Sequence, residues 1–361
     1  MASSSFNALI FIPDISGFTK FVTKTSIEHS SAIIKELLEV LMEQNTLGLH
    51  LVEIEGDALL YYKKENKETA TQAIIDQCKS MFLAFHQHLK LYERDRICNC
   101  EACSSTHKLG LKFIVHSGEV VLQKIFDQEK IMGKEVILAH RLMKNEVESD
   151  NYILLSKPAP AINSSLDMEF STGSSQYPEI GEVSYNYLDV NNWINETPEL
   201  PDHRPIKYVS NPVRLNINIQ KDIDFVHRFL VSLKHRKEWS AELVDFVYDE
   251  NKIDRVGSQH DCVLPDNIVH ITSVANEQGR EHITYAERID KLGFIPESFQ
   301  VFTLNRIDDK SCELLIEHHI KLFFPINLLV KPKLKKVLTN SITEFKKLCE
   351  TKWSVEDATI Q

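Results

Sequence analysis

The spacing of apolar residues divides the chain into two halves that favour different folds. In the first half, short apolar runs of strand length alternate with longer amphipathic stretches, which indicates strands separated by helices. The predicted strands are Ala8–Ile12, the two arms of a hairpin in Leu47–Tyr62, a strand pair in Lys108–Phe126 and Tyr152–Leu155, and the predicted helices are Ile27–Asn45, Thr69–Glu93 and Val136–Lys144. This order predicts an α/β domain with a mixed sheet over residues 1–192.

The pattern changes after a proline-rich segment without periodicity, which predicts a linker over residues 193–207. The predicted strands beyond it are Val213–Ile219, Val244–Tyr248, Cys262–Leu264, Ile268–Val274, His282–Ile289, Ser298–Asn305 and Cys312–Leu322, and the predicted helices are Ile223–Leu233 and Ile326–Glu350. One strand, one helix, a run of alternating strands and a long last helix predict an α+β domain over residues 208–352.

Composition narrows the function classes. The formal net charge is −11 and the pI is near 5.8, which disfavours nonspecific binding to nucleic acid or to an anionic membrane. No stretch approaches the roughly 20 apolar residues of a membrane span, and the N-terminus lacks the features of a signal peptide. We therefore expect a cytoplasmic protein without a membrane span and without a nucleic-acid partner.

Two carboxylates stand at strand ends in the first half. Asp14 follows the run Ala8–Ile12 and Pro13, and Asp57 lies in the Gly-Asp turn of the hairpin. A carboxylate that leaves water needs a compensating partner. The simplest interpretation makes Asp14 the N-cap of the next helix. The alternative is that both aspartates end neighbouring strands and form an oxygen-rich site for Mg²⁺ or Mn²⁺.

Three segments, "FIPDISGFT", "VEIEGDALLYY" and "IVHSGEVV" followed by "GKEVILAHRL", resemble the catalytic domain of class III nucleotidyl cyclases in order and spacing over roughly residues 6–190. The resemblance implies a ferredoxin-like fold and conversion of a nucleoside triphosphate to a cyclic monophosphate and pyrophosphate. It places Asp14 and Asp57 on the two metal-binding aspartates. Glu53 and Lys130 fall on the two base-selecting positions, of which Glu53 matches the guanylyl cyclases and Lys130 matches neither class.

The same resemblance places Arg141 on the arginine that stabilises the developing phosphate charge. The asparagine that orients the ribose, four residues earlier, is replaced by Ile137, whose side chain cannot donate a hydrogen bond. In this family two domains complete the site head to tail, which implies a homodimer. A weak or guanine-preferring cyclase and a domain that keeps only the fold both fit these residues.

A cysteine cluster, "CNCEACSSTH", interrupts the cyclase-like pattern. Three cysteines and a histidine offer four soft ligands for zinc. These candidate ligands are Cys98, Cys100, Cys103 and His107, with Cys78 and His86 as other candidates for the fourth position. The alternative is an exposed cluster of reduced thiols. His116, on a predicted strand, is expected to be a core or sheet residue rather than a catalytic one.

The second half resembles the START-like (SRPBCC, polyketide cyclase) superfamily through "FVHRFLVSLKHRKEWS", "VGSQHDCV", "ITYAERI" and the long last helix. The resemblance implies a helix-grip fold around a cavity for a hydrophobic small molecule or lipid. Glu287, His260 and His319 are candidates to line such a cavity, although isolated polar residues on alternating strands are expected to face solvent. A protein-interaction module without ligand is the alternative.

The whole chain resembles a bacterial-type family in which a cyclase-like domain of unassigned function precedes a START-like domain. We expect a homodimeric cyclase-like protein that binds a nucleoside triphosphate and whose second domain binds a hydrophobic ligand. The alternative is a dimerisation scaffold that is not an enzyme.

Overall fold

The computed structural model describes residues 4–25, 27–65, 71–98, 100–156, 168–249 and 252–351. Two compact units are present. Unit 1 comprises Met1–Glu93 with Ser104–Leu200, and unit 2 comprises Arg94–Cys103 with Pro201–Gln361. The chain therefore leaves unit 1 for a ten-residue excursion that carries the cysteine cluster. Trp193, at the start of the predicted linker, is buried in unit 1 with its ring 5.7 Å from that of Phe82.

The sheet of unit 1 contains both parallel and antiparallel pairs. Its strands are β1 (Ser5–Ser16), β2 (His50–Glu55), β3 (Ala58–Lys64), β4 (Gly110–Ile125), β5 (Gln128–Met132), β6 (Tyr152–Ser156), β7 (Ser171–Tyr177) and β8 (Gly181–Asp189). They follow the order β2-β3-β1-β4-β6-β8-β7, with β5 paired to β4. Only β4 and β6 are parallel. With its helices, this unit is a mixed α/β structure.

Strand β1 is central and continues through the proline and aspartate that seemed to end it. Along β4 its pairing is unbroken from Ser5 to Ser16. Along β3 the paired residues skip from Phe11 to Asp14, which leaves out Pro13, where proline has no N–H to donate. Asp14 is therefore inside a sheet and not in a loop.

The helices of unit 1 are α1 (Phe18–Lys24), α2 (Ile27–Glu43), α3 (Thr71–Asp95), α4 (Glu101–Ser105) and α5 (Lys134–Leu142), of which α3 and α4 run into the excursion of unit 2. Helix α1 begins after Gly17, whose φ of 83° is left-handed and suits glycine. Gly17 makes no side-chain cap, so the interpretation of Asp14 as N-cap is wrong. The predicted start of α3 at Thr69 lies outside the described residues.

Four strands of unit 1 differ from prediction. The strand pair expected in Lys108–Phe126 is one 16-residue strand, β4, which runs straight through the Ser117–Gly118 break because it pairs with β1 on that side. Strands β5, β7 and β8 were not predicted, since their sequences are polar and carry no long apolar run. Tertiary pairing, and not local hydrophobicity, stabilises them.

Unit 2 has a seven-stranded antiparallel sheet. Its strands are β9 (Val213–Ile219), β10 (Asp245–Val247), β11 (Gln259–Leu264), β12 (Asn267–Gln278), β13 (His282–Leu292), β14 (Ile295–Asp308) and β15 (Ser311–His319). Their order is β10-β11-β12-β13-β14-β15-β9. The first strand therefore pairs with the last, while every other neighbour is next in sequence, as the alternating pattern predicts.

The helices of unit 2 are α6 (Ile223–Val231), α7 (Arg236–Trp239) and α8 (Ile326–Thr351). Asp222 caps α6 by accepting a 2.9 Å hydrogen bond from the Phe225 amide. Buried residues of α6 and α8 form one core with those of β9 and β13 to β15, in which the ring of Phe345 of α8 packs against Phe229 and Trp239. Among the described residues, no helix is long and apolar enough to cross a bilayer.

Candidate functional site

The structure brings Asp14 and Asp57 together. Asp14 pairs with Ala58 across the β1–β3 ladder, and the amide of Ile15 donates a 3.2 Å hydrogen bond to the Asp57 carbonyl. The tight Gly56–Asp57 turn is possible because Gly56 has a φ of 66°. Two residues 43 positions apart therefore become direct neighbours, and their carboxyl groups hydrogen-bond to each other.

The two carboxyl groups share one environment. Burial, followed by the charge of Asp14, raises the pKa of Asp57 to about 7. Burial also raises the pKa of Asp14, although the neighbouring Lys112 opposes that shift. Two carboxyl groups this close disfavour simultaneous ionisation, and a cation bound between them would remove that cost. The donor set of hard oxygens fits Mg²⁺ or Mn²⁺.

The positively charged side chain of Lys112 lies at this site, and the sequence did not indicate it. Lys112 of β4 lies opposite Asp14 in the β1–β4 register, and its Nζ is 3.0 Å from Asp14 Oδ2 and 3.1 Å from the Met143 carbonyl. Opposite charges on facing strand positions attract each other. In the sequence, Lys112 is one polar residue in an apolar run, and only the register makes it a partner of Asp14.

The two predicted base-selecting residues also meet. Glu53 lies on β2 and Lys130 on β5, and their side chains form an ion pair. Both side chains are partly exposed, so the pair is accessible to a ligand. Next to it, His140 Nδ1 lies 3.2 Å from Glu55 Oε2 and ties α5 to β2.

Arg141 and Ile137 lie one turn apart on α5, and both side chains are exposed. Residues four apart share a helix face. The arginine predicted to act on phosphate and the isoleucine that replaces the ribose-orienting asparagine thus occupy one surface of the helix. Among the described residues, no hydrogen bond or ion pair links Arg141 to Asp14 or Asp57.

His116 is a core residue. It is fully buried, with Nε2 2.8 Å from Glu135 and Nδ1 2.6 Å from the hydroxyl of Ser156. Burial lowers the pKa of His116, and the Glu135 hydrogen bond opposes the shift. Glu135 reaches His116 because Gly118 has no Cβ; an added Cβ would lie 2.4 Å from Glu135 Cγ.

Three cysteines of the excursion form a compact cluster. The Sγ atoms of Cys98, Cys100 and Cys103 lie within 4.8 Å of one another. The Cys100 amide donates to Cys98 Sγ over 3.3 Å, and the Cys103 amide donates to Cys100 Sγ over 3.5 Å. Hydrogen bonding to Cys100 and then Cys98 raises the pKa of Cys103 above its ordinary range. Such a cluster of soft donors fits zinc or a similar ion.

The other predicted metal ligands do not belong to this cluster of three cysteine side chains. His107 lies exposed in the short 3₁₀ turn Thr106–Lys108. Cys78 and His86 are buried within α3, where His86 contacts Asn151 at 3.3 Å. Burial also raises the pKa of Cys78, as expected for an isolated core thiol.

Unit 2 contains a cavity of about 520 Å³ between α8 and the strands β11 to β15. Its wall is predominantly apolar, with a few polar groups. The apolar lining includes Leu243, Leu264, Val269, Ile271, Ile289, Leu292, Ile295, Ile320, Leu334, Val337 and Leu338, and the polar lining includes Arg236, Gln300, His318 and Ser341. His318 is buried, and neither of its ring nitrogens has a partner among the described residues.

A buried ion pair lies beside this cavity. Arg236 Nη2 is 2.6 Å from Glu287 Oε2, the Tyr285 hydroxyl donates to Glu287 over 3.0 Å, and the Arg236 guanidinium lies 4.6 Å from the centre of the Trp239 ring. Burial opposes ionisation of Glu287, but the charges of Arg236 and His260 and the hydrogen bonds from Arg236 and Tyr285 together outweigh it and lower the pKa of Glu287. The expectation that Glu287, His260 and His319 face solvent is wrong: all three are buried.

Comparison with known sequences gives two matches. A family profile described as "Protein of unknown function (DUF2652)" matches residues 34–152, less than half of the chain. A Mycobacterium tuberculosis protein described as uncharacterized, Rv2561/Rv2562, is 28% identical over 169 residues, which make up 46% of this chain and 78% of that protein.

Solved structures similar to this chain are adenylyl and guanylyl cyclase domains over about half its length. The guanylate cyclase domain of RhGC from Catenaria anguillulae in complex with GTP is 17% identical, with 52% of this chain and 98% of that chain covered and a TM-score of 0.37. The adenylyl cyclase CyaB from P. aeruginosa is 16% identical, with 53% and 98% covered and a TM-score of 0.37.

Proposed function

We propose that unit 1 binds a purine nucleoside triphosphate together with a divalent cation and acts as a weak nucleotidyl cyclase in a homodimer. The observation that carries the proposal is the contact between buried Asp14 and half-buried Asp57, two carboxyl groups whose pKa values are both raised. Burial is the largest cause of both shifts. A divalent cation that replaced the proton would offset this cost of holding two carboxylates side by side.

Each residue of this site has a separate task. Asp14 and Asp57 would hold Mg²⁺ or Mn²⁺, which when bound neutralises triphosphate charge and favours attack by the ribose hydroxyl. Lys112 fixes the Asp14 carboxylate in place through its second contact with the Met143 carbonyl. Burial of this corner of the sheet strengthens all of these electrostatic interactions.

The base is read by Glu53 and Lys130. An ionised Glu53 offers two acceptors for the N1–H and N2–H₂ donors of guanine, and Lys130 donates to O6. Their existing ion pair holds both groups in one place before the base arrives. Adenine has no matching pair of donors, so we expect a preference for GTP over ATP.

Catalysis needs a second copy of the chain. Arg141 is exposed on α5, and in our proposal it contributes to a partner's site rather than to its own. Ile137 on the same face cannot hold the ribose as asparagine would. Loss of one such donor typically lowers a rate by about 10²–10³, so the expected turnover is slow.

The test combines binding and turnover. Calorimetry with Mn²⁺ and a non-hydrolysable GTP analogue should detect binding at least tenfold tighter than with the ATP analogue, and Glu53→Lys should reduce that ratio. Asp14→Ala and Asp57→Ala should each abolish metal-dependent binding, while Asp127→Ala, which removes an exposed carboxylate of the β4–β5 turn, should not. Unchanged binding by the two site variants would refute the two-aspartate site.

A dimerisation scaffold without activity is the second candidate, and two observations favour it. Lys112 already balances Asp14, and Lys130 already balances Glu53, so the site is electrically satisfied without ligands. This candidate predicts that none of the four nucleoside triphosphates binds or forms a cyclic product with Mn²⁺. It also predicts a dimer by analytical ultracentrifugation that persists in Asp57→Ala.

For unit 2 we propose a START-like role as a receptor for a hydrophobic small molecule or lipid. The 520 Å³ cavity is of ordinary ligand size, and its few polar groups, Arg236, Gln300 and His318, favour a ligand with one polar end. A fluorescent fatty acid should bind with one site per chain. Ile271→Glu, which adds a charge to the cavity wall, should abolish binding, and Val247→Glu, on the exposed strand β10, should leave it intact.

For the thiol cluster we propose a soft metal ion held by Cys98, Cys100 and Cys103. Protein purified without chelator should contain about one zinc per chain and lose thermal stability on stripping, because binding energy at such a site becomes folding energy. Cys100→Ser should lose the metal, and the matched control Cys349→Ser should keep it. His107→Ala tests the predicted fourth ligand. Absence of metal with three freely titrating thiols would leave the cluster as ordinary cysteines.

A further inference from the structure

The start of α8 and the loop before it expose an unusual number of large apolar side chains. The exposed fractions are 73% for Phe323, 75% for Phe324, 62% for Leu328 and 77% for Leu329. Phe294, in the β13–β14 turn, is 66% exposed. Single exposed apolar residues are common on protein surfaces, but a group of this kind marks an interaction surface.

The same segment carries a concentrated positive charge. From residue 318 to residue 343 there is no Asp or Glu, and the lysines of this stretch are Lys321, Lys331, Lys333, Lys335 and Lys336. Lys331 donates to the Asn211 carbonyl over 2.6 Å, and the other four side chains are exposed. A local charge of about +5 within a chain of net charge −11 is therefore concentrated in one segment of the chain.

The lysines and the apolar residues share a face. Leu329, Lys333 and Lys336 are spaced i, i+4, i+7 along α8, which places them on one side of the helix. Helices that combine lysines with large apolar side chains lie in the interface of a bilayer, with the apolar side chains among the headgroups. We define the rim as Phe294, Lys321, Phe323, Phe324, Leu328, Leu329, Lys333, Lys335 and Lys336.

Part of the rim also forms the wall of the cavity in unit 2. Phe294, Leu329 and Lys333 belong to the rim and also line the cavity. An apolar ligand that leaves a bilayer would enter the protein here without crossing water. The cavity thus accounts for the apolar side chains of the rim, which a surface that only forms ion pairs would not need.

We propose that the rim docks unit 2 on an anionic phospholipid bilayer, with Phe323, Phe324 and Leu329 entering the headgroup region and the lysines contacting lipid phosphates. A partner protein with an acidic surface would account for the lysines but not for the apolar side chains beside them. A bilayer accounts for both, since its charged layer lies directly over its apolar layer. The net negative charge of the whole chain disfavours binding to an anionic surface, but the local positive charge of the rim favours it. The proposal does not depend on the nucleotide chemistry of unit 1.

The test is flotation of the full chain with vesicles. Binding is expected to vesicles of phosphatidylcholine with phosphatidylglycerol and not to phosphatidylcholine alone, and to weaken as salt rises. Each lysine near an anionic surface contributes roughly a fivefold factor in affinity, so Lys333→Gln with Lys335→Gln and Lys336→Gln should lower affinity at least tenfold. Phe323→Ser with Phe324→Ser should do the same, because it removes the inserted apolar groups.

The matched controls are Ile307→Ser and Lys310→Gln, at the far end of β14 and in the turn after it, which should bind like the parent chain. Failure of the full chain to float with anionic vesicles would overturn the proposal. Equal binding by rim and control variants would overturn it too. A rim variant that changes only the oligomeric state in ultracentrifugation, with vesicle binding intact, would assign the rim to self-association instead.

Discussion

At the scale of single residues, the candidate site is defined by three neighbouring charges. Asp14 and Asp57 are direct neighbours with raised pKa values, and Lys112 approaches Asp14 from the adjacent strand. Both aspartates could be found from the motifs around them. Lys112 could not, because sequence does not reveal strand register, and register alone places this lysine opposite Asp14.

Substitution of Lys112 tests whether its ammonium competes with a metal ion. Lys112→Met is expected to raise Mn²⁺ affinity at least tenfold, because a charge 3.0 Å from Asp14 Oδ2 disfavours a second cation by an energy on the order of several kcal/mol. Loss of the free-Mn²⁺ signal in electron paramagnetic resonance measures this directly. Lys124→Met, an exposed lysine of the same strand, is the control. Weaker Mn²⁺ binding by Lys112→Met would show that the lysine supports the metal.

The buried pair Arg236 and Glu287 permits a second prediction at this scale. Removal of one partner leaves the other charge unpaired in the core. Arg236→Met should therefore lower the free energy of unfolding of unit 2 by about 3–5 kcal/mol. The double variant with Glu287→Met should recover most of that loss, since neither charge remains. Hydrogen exchange of β13 amides reports the change. Lys347→Met, from an exposed pair with Glu344, should cost at most about 0.5 kcal/mol.

At the scale of elements, sequence patterns located the strands and helices that bury an apolar face. The hairpin of β2 and β3, helix α5 and the strands of unit 2 all follow from apolar periodicity. Patterns failed where pairing replaces hydrophobicity, as in the polar strand β7, and where a small-residue break lies inside a paired strand, as in β4. The excursion of residues 94–103 into unit 2 has no local signal, because it depends on contacts between residues distant in sequence.

The Ser117–Gly118 position in β4 yields a prediction about how a helix meets a strand. An added Cβ at Gly118 would lie 2.4 Å from Glu135 Cγ and 2.9 Å from its Cβ. Gly118→Ala should therefore destabilise unit 1 by about 1–3 kcal/mol. Glu135→Ala removes Cγ, the nearest clashing carbon, and Cδ and leaves only the Cβ contact, so the double variant should be more stable than the sum of the two single changes implies. Urea unfolding of all four proteins measures this coupling, and strict additivity would contradict the contact.

At the scale of the whole molecule, the buried histidines and aspartates with strongly shifted pKa values are distributed unevenly between the two units. Four buried histidines have pKa values lowered by burial to about 4, and they are His86 in unit 1 and His227, His260 and His318 in unit 2. Two aspartates have pKa values raised by burial to about 7, Asp57 in unit 1 and Asp254 in unit 2. Among the groups with these values, unit 1 has one histidine and one aspartate, whereas unit 2 has three histidines and one aspartate. In unit 1 burial also lowers the pKa of His116 and raises that of Asp14.

This imbalance predicts that acid destabilises unit 2 before unit 1. A histidine whose folded pKa lies below its unfolded value stabilises the fold above pH 6.5 and loses that contribution as pH falls towards 4, because the unfolded chain takes up the proton first. An aspartate with a raised pKa has the opposite effect between pH 7 and 4. Summed over three histidines and Asp254, unit 2 should lose on the order of 3 kcal/mol between pH 7 and pH 5.

In unit 1 the lowered pKa values of His86 and His116 oppose the raised values of Asp57 and Asp14, so these contributions should nearly cancel over the same range. Urea unfolding at pH 7 and pH 5, followed by hydrogen exchange to separate the two units, measures both. His260→Leu removes one titrating group, so its pH-dependent loss in unit 2 should be smaller by about 2 kcal/mol. The control His270→Leu replaces an exposed histidine that pairs with Asp261 and should retain the parent's pH dependence. Equal acid sensitivity of both units would show that other groups govern stability in this range.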